Sequence, residues 1–148
     1  MTIDDLTLDV SQEVEIKAAQ GDVFRTMLIG LAEEMAPTPD GKSLQLVLEP
    51  WPGGRWFRDL GNGQGHLWGF VQVIKPPTLL EITGPMMMSY PVAAHLQIRL
   101  GQIAGGTLLA LRHRALGMID DNHRQGVTAG WKKIIDHIKA GAESGAKK

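Results

Sequence analysis

Two histidines occur where an acid–base side chain could enter an apolar pocket. His66, Trp68 and Phe70 alternate along a strand-like run, and this spacing places them on one face of a β-strand. His113 has the same phase as Leu111 in a later run, so we expect it to face inward. An inward histidine can bind a ligand carboxylate or transfer a proton. The alternative is that His113 is a hydrogen-bonded core histidine and that Trp68 and Phe70 only fill the core.

Four more residues complete the predicted ligand site: Met88, Tyr90, Val127 and Trp131. Met88 and Tyr90 belong to the run MMMSY, whose flexible thioethers suit an adaptable pocket rim. The same run would also suit a strand end packed on its neighbour. Val127 and Trp131 lie four residues apart, on one face of a helix. Trp131 could form a cavity wall, or it could simply anchor that helix to a sheet.

Motifs for several other kinds of chemistry are absent from the sequence. The chain has no cysteine, which excludes disulfides, thiolate metal sites and a cysteine nucleophile. None of its five histidines stands in an H-x-x-x-H or H-x-H pattern. The segment GNGQG lies between strand-like runs and is typical of a hairpin turn, not of a phosphate loop. We therefore predict no catalytic motif, no metal and no cofactor.

The bulk composition is that of a globular protein. The 148 residues, with 43% hydrophobic and 21% charged side chains, suit a single domain over residues 1–148 with its core at about 11–142. A net charge of −1 argues against a nucleic-acid partner. No apolar run approaches the roughly 18 residues of a membrane span, and MTIDDLTLDV does not resemble a signal peptide. We expect a cytoplasmic protein without membrane insertion. The sequence leaves a homodimer open.

Helical and strand periodicities predict the elements that position these residues. A long amphipathic helix is expected from Asp120 to about Ala142. Before it we expect a strand at Ser11–Ala19, a short helix from Gly21, a second short helix near Leu31–Met35 and a loop at Pro37–Gly41. The six later strands are predicted at Ser43–Glu49, Arg55–Leu60, His66–Ile74, Thr78–Thr83, Pro91–Leu100 and Thr107–Ala115.

Several segments, taken in order, resemble a known superfamily. They are EVEIKAAQGDVF, WPGGRWFRD, FVQVIKPPTLLEITG, GGTLLALRHRALG and GWKKIIDHIK. Together they resemble the START-like (SRPBCC, helix-grip, birch-allergen-like) superfamily, and within it the branch named after the C-terminal domain of the activator of Hsp90 ATPase. The resemblance implies an α+β fold in which a curved seven-stranded antiparallel sheet surrounds a long C-terminal helix, with two short N-terminal helices. One departure is Gln20-Gly21, where the family often has proline.

A curved sheet around an amphipathic helix leaves room for a cavity, and the resemblance implies three functions. We favour binding of a small hydrophobic molecule (lipid-like, aromatic or polyketide-like) without catalysis. The first alternative is a cyclase or dehydratase of the polyketide type that uses His66 or His113 as acid or base. The second is a protein-interaction module similar to the Hsp90-activating domain. Binding or catalysis requires a closed, apolar void with one or two polar groups. An interaction module would instead show a filled interior and an exposed apolar patch.

Overall fold

One antiparallel sheet organises the chain. The computed structural model describes residues 2–35 and 42–146. The strands are β1 (Thr7–Ile16), β2 (Leu46–Leu48), β3 (Arg55–Gly61), β4 (Gln64–Lys75), β5 (Leu79–Thr83), β6 (Val92–Ile103) and β7 (Gly106–Gly117). Their order across the sheet is β1-β7-β6-β5-β4-β3-β2, and every neighbouring pair is antiparallel. Except at the β1–β7 pair, neighbours in this order are also consecutive in sequence, as turn signals at short intervals indicate.

The inner face of the sheet is covered by two helices, α1 (Gln20–Gly30) and α2 (Asp121–Ala146), and a short 3-10 helix (Ile3–Leu6) precedes β1. The start of α2 is fixed by Asp120, whose Oδ1 accepts the backbone N–H groups of Asn122 and His123 at 2.9 and 3.3 Å. This is an N-cap, the usual signal for a helix start. Neither helix in the described ranges combines the length and apolar character needed to cross a bilayer.

The apolar face of α2 is the one that the sequence predicts. Its buried side chains include Val127, Trp131, Ile134 and Ile138, which recur at steps of four, three and four. They pack against inward side chains of the sheet in one continuous core. The helix-grip fold class is therefore confirmed, with a seven-stranded curved sheet, a long C-terminal helix and a short N-terminal helix. The organisation as a single domain stays a prediction.

Several predicted elements have other bounds in the structure, among them β2, which spans Leu46–Leu48 instead of Ser43–Glu49. The segment near Leu31–Met35, which we predicted as a second short helix, consists of two turns. The backbone N–H groups of Ala32 and Met35 donate to carbonyl groups three residues earlier, whereas an α-helix uses the carbonyl group four residues earlier. The first strand begins at Thr7, before the predicted Ser11, because β1 pairs with β7 over its full length. The predicted loop at Pro37–Gly41 lies outside the described residues.

Irregular pairing of β4 reverses the predicted direction of Phe70. Trp56 opposes Gly69 whereas Phe57 opposes Leu67, so Trp68 is an extra residue in a β-bulge. Trp56 and Trp68 are both buried. After the bulge, Phe70 opposes the exposed Arg55 and lies on the outer face, 45% exposed. The prediction that Phe70 faces the helix is wrong for this reason.

The outer edge of β1 is covered by side chains of α2. Arg124 donates to the backbone carbonyls of Thr7 and Asp5, and Lys139 Nζ donates to the carbonyl of Glu15 at 2.8 Å. In the opposite direction, Gln12 Nε2 donates to the carbonyl of Thr128 on the helix at 2.7 Å. The helix is thus attached to the sheet by polar bonds along this edge as well as by its apolar face.

Candidate functional site

An apolar cleft of about 300 Å³ lies beside the first half of α2, opposite β4 and the β5–β6 connection. Its size is at the lower end of the range typical of small-molecule sites. The lining residues are Leu44, Trp68, Met87, Asn122, His123, Gly126, Val127, Gly130, Trp131 and Ile134. Only Asn122 and His123 in this set are polar, and none carries a permanent charge. The cleft has the composition expected of a site for an apolar ligand.

Two other depressions of the surface have a different character. One of about 410 Å³, between the end of α1 and the middle of α2, is lined by Glu33, Glu34, Lys133 and His137 among others. Another of about 630 Å³ lies on the outer face of β6 and β7 and is wide open to solvent. A charged lining and an open surface both disfavour an apolar small molecule. The cleft beside α2 is therefore the candidate site, although it is smaller than either.

One wall of the cleft is fixed by a pair of tryptophans. Trp68 lines the cleft and meets Trp56 edge to face, with ring centroids 5.0 Å apart. Trp56 is fully buried, and its Nε1 donates to the backbone carbonyl of Leu31 at 2.7 Å. Leu31 directly follows α1, so this bond joins the end of that helix to β3. Trp68 consequently packs against a side chain that is held in place by its own hydrogen bond.

The opposite wall contains Trp131, which is held by His113. Trp131 Nε1 donates to His113 Nδ1 at 2.8 Å, and the two rings meet edge to face. Since indole Nε1 is only a donor, the imidazole proton must lie on Nε2. Within the described part of the chain, no acceptor lies within hydrogen-bonding distance of that Nε2. Burial, with a smaller effect from His123, lowers the pKa of His113 to about 4, so the ring is neutral at pH 7.

A second hydrogen-bonded pair, Tyr90 and His123, lies at the cleft. Tyr90 Oη is 2.7 Å from His123 Nδ1. The tautomer of the imidazole decides which of the two groups donates in this bond. Burial raises the pKa of Tyr90 and lowers the pKa of His123; the nearby Asp120 carboxylate only partly offsets the second shift. Both side chains are therefore largely neutral at pH 7.

Part of the helix surface beside the cleft is bare backbone. Asn122, Gly126 and Gly130 follow one another at steps of four and all line the cleft. A Cβ atom built at Gly126 or Gly130 would meet no other atom within 4 Å. Glycine in a helix interior costs about 1 kcal/mol relative to alanine. Packing therefore does not require glycine at either of these two positions.

The structure brings together part of the predicted ligand site. Trp68, Val127 and Trp131 line the cleft; Tyr90 lies outside the lining and is hydrogen-bonded to His123, which belongs to it. The inward orientation of His113 is confirmed: its side chain is fully buried and holds Trp131.

Three predicted site residues lie elsewhere. His66 is exposed near the start of β4, and Phe70 lies on the outer face. Met88 is buried in the core, and its neighbour Met87 lines the cleft instead. The roles in ligand binding that we predicted for these residues have no support from their positions.

Sequence reasoning missed His123 and the two glycines. His123 lies one turn before Val127, in helical phase with a residue that was assigned to the site, and that phase is the signal that could have identified it. Gly126 and Gly130 share the same spacing but carry no side chain, so hydrophobic periodicity does not detect them. Over residues 2–35 and 42–146, no cluster of three or more histidine or acidic side chains could hold a metal ion.

Solved structures share this fold at low sequence identity. A protein of Chromobacterium violaceum is 18% identical with a TM-score of 0.71, over 91% of this chain and 96% of that one. A protein of Rhizobium leguminosarum is 19% identical with a TM-score of 0.68, over 93% and 95%. The di-domain ARO/CYC StfQ from the steffimycin biosynthetic pathway is 15% identical with a TM-score of 0.71, over 99% of this chain and 54% of that one. These likenesses show the fold alone.

Comparison with sequences and families gives the membership of the chain. No curated protein sequence matches it significantly. The family model described as Activator of Hsp90 ATPase homolog 1-like protein matches residues 40–143, which is most of the chain. The matched region holds β2 to β7 and nearly all of α2, and with them all ten residues of the cleft. The chain therefore belongs to the Activator of Hsp90 ATPase homolog 1-like family.

Proposed function

We propose that the protein binds a small apolar molecule in the cleft between α2 and the sheet. The observation that carries this proposal is the composition of the lining, which is apolar apart from Asn122 and His123. Apolar walls with a few placed polar groups are the usual form of a small-molecule site. The bare helix surface at Gly126 and Gly130 supports the same function, because it lets a ligand approach the backbone of α2 closely.

Binding of an uncharged fluorescent probe tests this proposal. N-phenyl-1-naphthylamine brightens when it enters an apolar environment, and a molecule seated between Trp68 and Trp131 should also quench tryptophan emission. Gly126→Leu places a side chain in the cleft and should abolish both signals. Ala129→Leu is the matched control, since Ala129 is exposed on the same helix and does not line the cleft. If the wild-type protein binds no such probe, or if both variants bind equally, the cleft is not a ligand site.

A cyclase-type enzyme remains the second candidate because of one observation. The Tyr90–His123 pair places a hydrogen-bonded imidazole in the cleft, where a proton could be given to or taken from a ligand. The likeness in fold to StfQ is compatible with this function but does not assign it. His66 is exposed outside the cleft and His113 is engaged with Trp131, so neither takes the acid–base role that we first gave it. Turnover that disappears in Tyr90→Phe would favour this candidate.

An apolar strip on the outer face favours the third candidate, an interaction module. Val47 opposes Phe57, which opposes Leu67, so the three side chains form a row across β2, β3 and β4. Val47 is 42% and Leu67 is 47% exposed, and Phe70 extends the row. Exposed apolar patches often mark protein contacts. The cleft beside α2 is not the closed void that the sequence predicts, because it opens to solvent at the exposed Asn122 and Gly126. We place ligand binding first because the lining of the cleft is apolar apart from Asn122 and His123.

A further inference from the structure

We propose that the ligand of the cleft is an uncharged apolar molecule with a carbonyl or similar accepting oxygen, and that His123 Nε2 donates a hydrogen bond to this oxygen. The inference rests on the proposed function and deepens it by naming the class of ligand. It makes His123 the polar anchor of the site and Tyr90 a positioning residue.

The first argument is the orientation of the His123 ring. Its Nδ1 is occupied by Tyr90 Oη, and Tyr90 does not line the cleft. The part of the ring left to face the cleft is therefore the opposite edge, which carries Nε2. Asp120 helps to position the residue, because its Oδ1 accepts from the backbone N–H of His123 at 3.3 Å. A donor held in place before binding loses little entropy when it meets its acceptor.

The second argument is the direction of the hydrogen bonds. We assign Tyr90 as the donor in its bond to His123 Nδ1, because a phenol O–H is a stronger acid than the N–H of a neutral imidazole. In that tautomer His123 carries its own proton on Nε2 and can only donate there. His113, behind Trp131, is in the same state, with Nδ1 occupied and a proton on Nε2. Neither ring offers a free acceptor. A complementary ligand therefore needs an accepting atom, whereas an alcohol or amine proton would find no histidine partner.

The third argument is the absence of charge among the lining residues of the cleft. The nearest cation in sequence, Arg124, is turned to the edge of β1, where it donates to the carbonyls of Asp5 and Thr7. Asp120 is committed to capping α2. A ligand carboxylate would enter an apolar cleft without a counter-ion, and so would an ammonium group, which is costly in either case. An uncharged oxygen such as a ketone avoids this cost and still satisfies the histidine donor.

A matched series of tricyclic probes tests the inference. Fluorene, 9-fluorenone and 9-fluorenecarboxylate share one skeleton and differ in the group at a single carbon. Each is titrated as a competitor of N-phenyl-1-naphthylamine. We expect 9-fluorenone to bind about two- to tenfold more tightly than fluorene, the change that corresponds to one typical hydrogen bond. We expect the carboxylate to bind more weakly than both. A carboxylate that binds best would overturn the inference.

Substitutions identify the donor. His123→Phe should remove the preference for 9-fluorenone while the affinity for fluorene stays within about twofold, since a phenyl ring keeps the apolar wall. His137→Phe is the control on the same helix, because His137 is exposed, pairs with Glu34 and lies outside the cleft. Tyr90→Phe should reduce the preference, because it frees the His123 ring to rotate. Circular dichroism and melting temperature verify the fold of each variant.

Nuclear magnetic resonance gives an independent readout. Long-range proton–nitrogen correlation spectra should place the His123 proton on Nε2, and 9-fluorenone should shift that nitrogen whereas fluorene should not. A proton on Nδ1, or a ketone preference that survives in His123→Phe, would contradict the inference and leave the proposed function intact. If neither tricycle displaces the naphthylamine, both fail together.

Discussion

Gly130→Ala should stabilise the protein and weaken ligand binding at the same time. Gly130 lies inside α2, and the new Cβ would meet no atom within 4 Å, so the substitution brings no steric cost. Alanine is favoured over glycine in a helix interior by about 1 kcal/mol. For a chain of this size that gain corresponds to a rise in Tm of about 2–4 °C. Thermal unfolding followed by circular dichroism measures it.

The loss of binding follows from the same open space. A ligand that touches the bare backbone of α2 must withdraw by the width of a methyl group once Gly130 becomes alanine. If one or two methylene-sized contacts are lost, at about 0.8 kcal/mol each, the affinity falls about four- to fifteenfold. Titration with N-phenyl-1-naphthylamine measures this change. Gly126→Ala should act in the same direction.

Gly145→Ala separates the two effects. Gly145 lies in the same helix, and its Cβ would also enter open space, but it does not line the cleft. It should raise Tm slightly, by less than Gly130→Ala because the last turn of a helix frays, and it should leave probe binding unchanged. Unchanged probe affinity in Gly130→Ala would show that the ligand does not contact this surface. A lower Tm would show that the packing around α2 has been misinterpreted.

Two further predictions concern the pair under the helix. His113 has a pKa of about 4 in the folded protein and near 6.5 when unfolded, so between these pH values the unfolded chain binds a proton that the folded chain does not. The free energy of unfolding should therefore fall by about 3 kcal/mol as the pH drops from 6.5 to 4. Urea denaturation at a series of pH values measures this fall. The fall should be much smaller in His113→Asn, which keeps an acceptor for Trp131. Trp131→Ala should cost about 3–5 kcal/mol, the range for a buried aromatic residue, and an unchanged Tm would mean that the buried face of α2 is wrong.

The sequence predicts α2 well because its signal is repeated. Val127, Trp131, Ile134 and Ile138 all report the same buried face, and Asp120 marks its start. The hairpin at GNGQG is equally local: Asn62 and Gly63 adopt φ values of 56° and 74°, as the residue types indicate. In both cases neighbours in sequence determine the conformation, so a periodicity or a turn motif is sufficient.

The candidate site is predicted less completely because it depends on long-range contacts. Strict alternation places Phe70 inward, but the bulge at Trp68 arises from how β3 and β4 pair, which alternation within one strand does not report. Tyr90 and His123 are 33 positions apart, and only the folded chain joins them. Gly130 lines the cleft without a side chain, so a prediction based on side-chain chemistry does not include it. The predicted cytoplasmic location and the open question of a homodimer depend on nothing in the fold and stay predictions.

The hydrogen bonds from α2 to the edge of β1 also protect the protein against aggregation. An uncovered edge strand is a template on which another chain can extend the sheet. Here Arg124 and Lys139 occupy two of the carbonyl groups that such a chain could use, those of Thr7 and Glu15 near the two ends of β1. Any motion that lifts α2 far enough to widen the cleft also pulls these side chains away from β1. Under the proposed function, a wider opening of the cleft for a ligand would therefore reduce this protection of the β1 edge.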